Sequence, residues 1–77
     1  MNLLKEGKVT FAFENTEHHW NMELRVYNIF GSEISRQRIY RSQQAAEMDV
    51  SVWPAGIYLA VIFSNGGAAG RVKFVVE

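Results

Sequence analysis

The chain has 77 residues, 48% of them hydrophobic and 13% aromatic, which suits one small folded domain and excludes a disordered tail. It has no cysteine, which excludes a disulfide framework and a thiolate zinc site, and its eight basic and eight acidic side chains cancel, which leaves no net field to attract nucleic acid. No run approaches the roughly 18 apolar residues that span a bilayer, and the first residues lack the apolar region of a signal peptide.

Alternating apolar and polar residues predict a succession of short strands separated by turn residues. The pattern occurs at 8–14, 22–30, 33–40, 47–52, 57–63 and 71–76, and a glycine-rich turn is predicted at 65–70. In the third segment the two aliphatic residues, Ile34 and Ile39, fall on opposite faces, which predicts a bulge or a position at a sheet edge. The window 33–47 has some helix propensity but no helical apolar stripe, so no helix is predicted.

The segment 57–63 is the longest apolar run, and it follows a turn formed by Pro54 and Gly56. Pro54 ends the preceding strand because it lacks a backbone donor, and Gly56 tolerates the positive φ of a tight reversal. A run of this length is typical of a central strand that is buried on both faces. Three residues of the preceding segment are predicted to face inward: Met48, Val50 and Val52. The predicted core comprises Leu24, Val26, Val50, Ile57, Leu59, Val61 and Phe74.

These segments predict an all-β protein, a small antiparallel immunoglobulin-like β-sandwich of six to seven strands. Turn residues recur at the spacing of about 8–12 residues that is typical of such a sandwich. No linker, internal repeat or low-complexity segment divides the chain, so residues 1–77 are expected to form a single domain.

Two segments resemble the C-terminal sorting domains of type IX secretion substrates, of the type A class. The first is V-Y-N-I-F-G-S-E-I at 26–34, and the second is M-D-V-S-V-W-P-A-G-I-Y-L-A-V-I at 48–62. In that family one strand ends in a hydrophobic residue, a tyrosine, an asparagine or aspartate and then a glycine. A later apolar strand runs through proline and glycine into a tyrosine. The resemblance extends over 8–76, nearly the whole chain.

The resemblance implies a non-enzymatic, immunoglobulin-like module at the C-terminal end of a larger exported protein. Domains of this family direct their cargo through an outer-membrane translocon, so the expected partner is a translocon component or another protein, with a glycan as a further candidate. The expected location is the cell surface or the secreted fraction, reached by way of the periplasm. The alternative function is an accessory immunoglobulin-like module that binds a glycan or a protein.

The motif residues also have physical roles that follow from their chemistry. Gly31 and Gly56 are expected to serve the backbone at turns. Tyr58 is expected to bury its ring and to donate its hydroxyl to a carbonyl a few residues upstream, as in a tyrosine corner. Asn28 falls on the same side of its strand as Leu24, which predicts a buried amide that is hydrogen-bonded to a neighbouring loop.

Two surface features are candidates for an interaction site. A basic ridge is predicted on the most polar strand, formed by Arg36, Arg38 and Arg41. It either keeps an edge strand from pairing with another chain or faces an acidic translocon surface or a lipopolysaccharide phosphate. Three aromatic residues are candidates for a platform that binds a glycan or a protein: Trp20, Tyr40 and Trp53. Alternatively, Trp53 is a cap over one end of the sandwich.

No arrangement typical of catalysis or metal binding is found in the sequence. None of the serines lies in a G-x-S-x-G context. His18 and His19 are adjacent, so on a strand they would point to opposite faces, and in a loop they would need a third ligand from Glu14 or Glu17. The chain is therefore expected to be no enzyme and to bind neither a metal nor a cofactor.

Overall fold

The computed structural model describes residues 2–5, 7–13, 22–40 and 43–77, with the backbone alone described for 2–5. Within these ranges the chain forms seven strands: β1 (Asn2–Lys5), β2 (Lys8–Ala12), β3 (Met22–Tyr27), β4 (Glu33–Ile39), β5 (Ala45–Asp49), β6 (Gly56–Ser64) and β7 (Gly67–Val76). The described ranges contain no helix, and therefore none long and apolar enough to cross a membrane.

The strands form two antiparallel sheets. One has three strands in the order β1-β2-β5, and the other has four in the order β4-β3-β6-β7. Buried residues from both sheets meet in a single cluster, so the predicted all-β sandwich is confirmed. As predicted for the apolar run, β6 has a neighbour on each side, β3 on one and β7 on the other.

The core lies between the sheets because alternate residues of each strand point into this space. Phe11 of the three-stranded sheet meets Phe74 of the four-stranded sheet edge to face, with ring centroids 5.2 Å apart. Leu24, Val26 and Val50 are buried, as predicted. The buried cluster consists of Val9, Phe11, Met22, Leu24, Val26, Ile39, Ala46, Met48, Val50, Tyr58, Ala60, Phe74 and Val76.

The prediction that β6 is buried on both faces holds only in part. Ile57 is 51% exposed and Leu59 is half-buried, because they lie on the outer face of the four-stranded sheet. Val61 lies on the same outer face and yet is buried. Its cross-strand neighbours are Arg25 and Arg71, and long arginine stems cover apolar surface while their charged groups stay in water.

The prediction that Val52 faces inward is wrong, because its side chain is 89% exposed. β5 ends at Asp49, whose carboxylate accepts a hydrogen bond of 2.9 Å from the backbone N–H of Ser51. The backbone N–H of Trp53 then donates to the carbonyl of Val50 at 3.0 Å. These bonds place Val52 inside a turn, so the strand alternation does not continue to it.

β4 is an edge strand with a bulge, as the positions of its two aliphatic residues predicted. Its register with β3 shifts after Val26, which leaves Ile34 without a residue opposite it. Ile34 is consequently exposed, whereas Ile39 is buried in the core.

β7 begins at Gly67, so the predicted glycine-rich turn at 65–70 is too long. The turn consists of Asn65 and Gly66, whose φ angles of 52° and 87° suit a two-residue type I′ hairpin. A register shift after Ile62 places Ala69 in a bulge near the start of β7. The turn therefore passes directly into a ten-residue strand at the edge of the sheet.

Candidate recognition surface

The turn after β3, at 28–32, is formed by Asn28 and Gly31. The side-chain oxygen of Asn28 accepts hydrogen bonds from the backbone N–H groups of Phe30 (2.9 Å) and Ser32 (3.0 Å). Gly31 donates its backbone N–H to the carbonyl of Asn28, and its φ of 83° suits a residue without a side chain. Asn28 is only partly buried and bonds within its own turn, rather than to a neighbouring loop as expected.

The turn before β6, at 50–56, is closed by Tyr58. The Tyr58 hydroxyl donates a hydrogen bond of 2.6 Å to the carbonyl of Pro54, and its ring is buried. This geometry is that of a tyrosine corner. Gly56 begins β6 with a φ of 157°. One depression is lined by residues of the turn at 28–32 and by the first residues of β6, which directly follow the turn at 50–56. The two turns therefore lie at the same end of the sandwich, here called the motif end.

Replacing Tyr58 by phenylalanine is expected to lower the free energy of unfolding by about 1–2 kcal/mol. The ring stays in place, while the partly buried Pro54 carbonyl loses its donor. Urea denaturation measures the change, with Val52→Ala, at a side chain that is 89% exposed, as the control that is expected to stay within about 0.5 kcal/mol. A Tyr58→Phe protein as stable as the wild type would show that water replaces the hydroxyl.

Trp53 packs over the core at the motif end. Its ring centroid lies 5.2 Å from that of Tyr58 and 6.4 Å from that of Phe74, and its side chain is half-buried. Tyr40 directly follows β4, at the end of the four-stranded sheet that lies away from the motif end. The structure therefore separates Tyr40 from Trp53, and Trp20 lies outside the described residues.

The outer face of the four-stranded sheet carries paired charges near β4. A nitrogen of the Arg25 guanidinium lies 2.6 Å from a carboxylate oxygen of Glu23, and Arg36 is bonded to Glu33 at 3.0 Å. The hydrogen bond from Arg25 lowers the pKa of the Glu23 carboxyl and raises the pKa of Arg25 itself. The Arg25 guanidinium also lies 4.4 Å from the ring centroid of Phe63, a cation–π contact.

The predicted basic ridge lies on this face but is surrounded by acidic residues of the same sheet. Arg36 is 3.9 Å from Glu23 as well as bonded to the acid of its own strand. Arg38 is directly opposite Glu23 in the register of β3 and β4. Both arginines are exposed on an edge strand, and Arg41 lies outside the described residues.

A groove of about 500 Å³ opens at the motif end, and it is called the Lys73 groove here. A cross-strand row of Tyr27, Leu59 and Lys73, on β3, β6 and β7, forms its base. Ile29 of the first turn, 70% exposed, and Ile57 at the start of β6 add apolar surface. Lys73 is exposed and has no ion-pair partner among the described residues.

Leu59 and Lys73 were not selected as site residues from the sequence. The alternation along β7 indicates that Lys73 and the core residue Phe74 point to opposite faces of the sheet. It does not indicate which residue of a neighbouring strand lies beside Lys73. That information comes from the register, which places Lys73 beside Leu59 and Leu59 beside Tyr27.

Among the described residues, no group of three His, Cys, Asp or Glu side chains is placed to hold a metal ion. His18 and His19, with their candidate third ligands Glu14 and Glu17, lie outside the described ranges.

Comparisons with known proteins gave one match. A model of the family described as "Secretion system C-terminal sorting domain" matches residues 5–77, which is nearly the whole chain. Searches of curated proteins and of solved structures found no match.

Proposed function

This chain belongs to the family of secretion-system C-terminal sorting domains, and we propose that the machinery recognises the folded sandwich at its motif end. The resemblance found in the sequence is confirmed by the family match. The domain is a C-terminal sorting signal for type IX secretion, destined for export to the cell surface or the medium. The match supports this function and not that of an accessory module that binds a glycan or a protein.

One observation carries the proposal: two motifs that are distant in the sequence meet at one end of the fold. Asn28, Gly31 and Tyr58 form the turns through hydrogen bonds and backbone conformation. Between them they present Ile29 and Ile57 at the surface. The motif residues would thus act on recognition indirectly, by holding a surface that only the folded domain presents.

From the family membership we also infer the export route of the domain and the protein that it contacts. The domain forms the C-terminal module of a larger exported protein, enters the periplasm with its cargo and contacts a protein of the outer-membrane translocon. We expect the domain itself to contribute no catalysis, because its family acts as a sorting signal.

The test is a fusion of residues 1–77 behind a signal peptide and an inert fluorescent reporter, expressed in a bacterium that has a type IX system. Protease treatment of whole cells and fractionation locate the reporter. We expect it at the cell surface or in the medium, and in the periplasm of a matched strain without the translocon. If the folded fusion stays periplasmic in both strains, the chain does not act as a sorting signal.

A further inference from the structure

We propose that the Lys73 groove binds a short segment of a secretion-machinery protein in which an acidic residue adjoins an apolar side chain. This inference rests on the proposed function and assigns the contact to one groove of the motif end. The groove volume of about 500 Å³ falls in the range of about 300–1,000 Å³ that is usual for ligand pockets. It therefore fits a few side chains of a peptide.

The apolar part of the groove is continuous rather than scattered. Ile57, at the start of β6, is 51% exposed and lines the groove. The next outward row places the half-buried Leu59 between Tyr27 and Lys73. Ile29 lines the same groove from the turn. Single exposed apolar residues are ordinary, but a group of them around a depression marks an interaction site.

The charge of the groove is set by Lys73. Arg25 and Arg36, at the other side of the same face, are paired with acidic residues of β3 and β4. Arg71, one outward position along β7, is exposed and, like Lys73, has no ion-pair partner among the described residues. The β7 side of the sheet thus presents two cations without an ion-pair partner among the described residues, whereas on the β4 side two of the three arginines are paired with Glu23 and Glu33. An acidic residue of a partner would be attracted to Lys73.

A second copy of the chain is a poor occupant of this groove. In a two-fold symmetric dimer the groove face of one copy contacts the groove face of the other, so each residue near the axis lies beside the same residue of the second copy. Such a pair would gather Lys73 and Arg71 from both copies on one surface. Like charges brought together at an interface repel each other, which favours a partner of opposite charge.

The experiment places four substitutions in the reporter fusion described above. Lys73→Glu reverses the charge in the groove, and surface display is expected to fall by at least about tenfold. Lys73→Arg keeps the charge and is expected to preserve display. Lys73→Gln removes the charge and provides a milder variant if Lys73→Glu fails to fold. Lys8→Glu makes the same charge reversal on β2, in an exposed pair with Glu47, and is the matched control.

The outcomes separate this inference from the proposed function. If the wild-type fusion reaches the surface and folded Lys73→Glu does so equally, the groove proposal is overturned and the sorting function stands. If Lys73→Arg fails as severely as Lys73→Glu, the contact is not with an acidic group, which also overturns the proposal. If the wild-type fusion itself stays periplasmic, the sorting function fails first.

A photoreactive amino acid in place of Ile29 identifies the class of the occupant during export. We expect an adduct that a protease removes and that disappears in the Lys73→Glu background. An adduct that resists protease, as a glycan or lipid would give, contradicts a peptide occupant. An adduct that persists unchanged in the Lys73→Glu background contradicts a contact through the groove.

Discussion

Replacing Phe74 by alanine is expected to lower the free energy of unfolding by about 3–5 kcal/mol. Phe74 lies at the centre of an aromatic cluster, with ring centroids 5.2 Å from Phe11, 5.7 Å from Tyr58 and 6.4 Å from Trp53. Its removal leaves a cavity between the two sheets, next to Trp53 at the motif end. A domain of this length has a total stability of roughly 4–12 kcal/mol, so the substitution is expected to remove a large part of it.

The matched control is Val75→Ala, at the next residue of the same strand. Val75 points to the outer face and is 52% exposed, so its truncation is expected to cost less than about 1 kcal/mol. Urea denaturation followed by tryptophan fluorescence compares the two proteins. If both variants lose the same stability, the assignment of the core to the Phe74 face of β7 is wrong.

Local features of the sequence were sufficient to predict six of the seven described strands, and five of the seven residues predicted as core are buried. The alternation in β3 and β7 places Leu24 and Phe74 inward, and both are buried. The opposite faces of Ile34 and Ile39 predicted the bulged edge strand, which is confirmed. The contact between Tyr58 and Pro54 spans only four residues, which is why a turn followed by tyrosine is informative by itself.

The features that were missed depend on pairing between distant segments. β1 has two adjacent leucines instead of an alternating pattern, and it is a strand because it pairs with β2. Ile57 is apolar like the buried residues of its run. It is exposed because no further layer of the described residues covers the outer face of the four-stranded sheet. The Lys73 groove needs the registers of β3, β6 and β7 together.

One local feature, the hairpin, was available in the sequence and was assigned the wrong length. Asn65 and Gly66 form the dipeptide that most strongly favours a two-residue hairpin turn. The glycines and alanines that follow, at 67–70, resemble a loop because they have little strand propensity. They are held in β7 by pairing with the end of β6.

Deleting residues 71–77 from the reporter fusion is expected to abolish surface display and to leave the reporter in the periplasm. The deletion removes Phe74 and Val76 from the core and leaves most of β6 without its neighbour. The apolar run of β6 would then form an unprotected sheet edge, which favours aggregation over folding. Because β6 begins at the motif end, the surface proposed for recognition is lost with the fold.

The control for this deletion is the Val75→Ala fusion, which keeps the length of β7 and both of its buried residues. It is expected to reach the surface as the wild type does, since the change is small and leaves the core intact. Protease accessibility of the reporter on whole cells and its amount in periplasmic extracts distinguish the two fates. Surface display of the truncated fusion would show that the machinery requires neither the folded sandwich nor residues 71–77. Residues 1–70, which keep the turn at 28–32 and the start of β6, would then be sufficient for export.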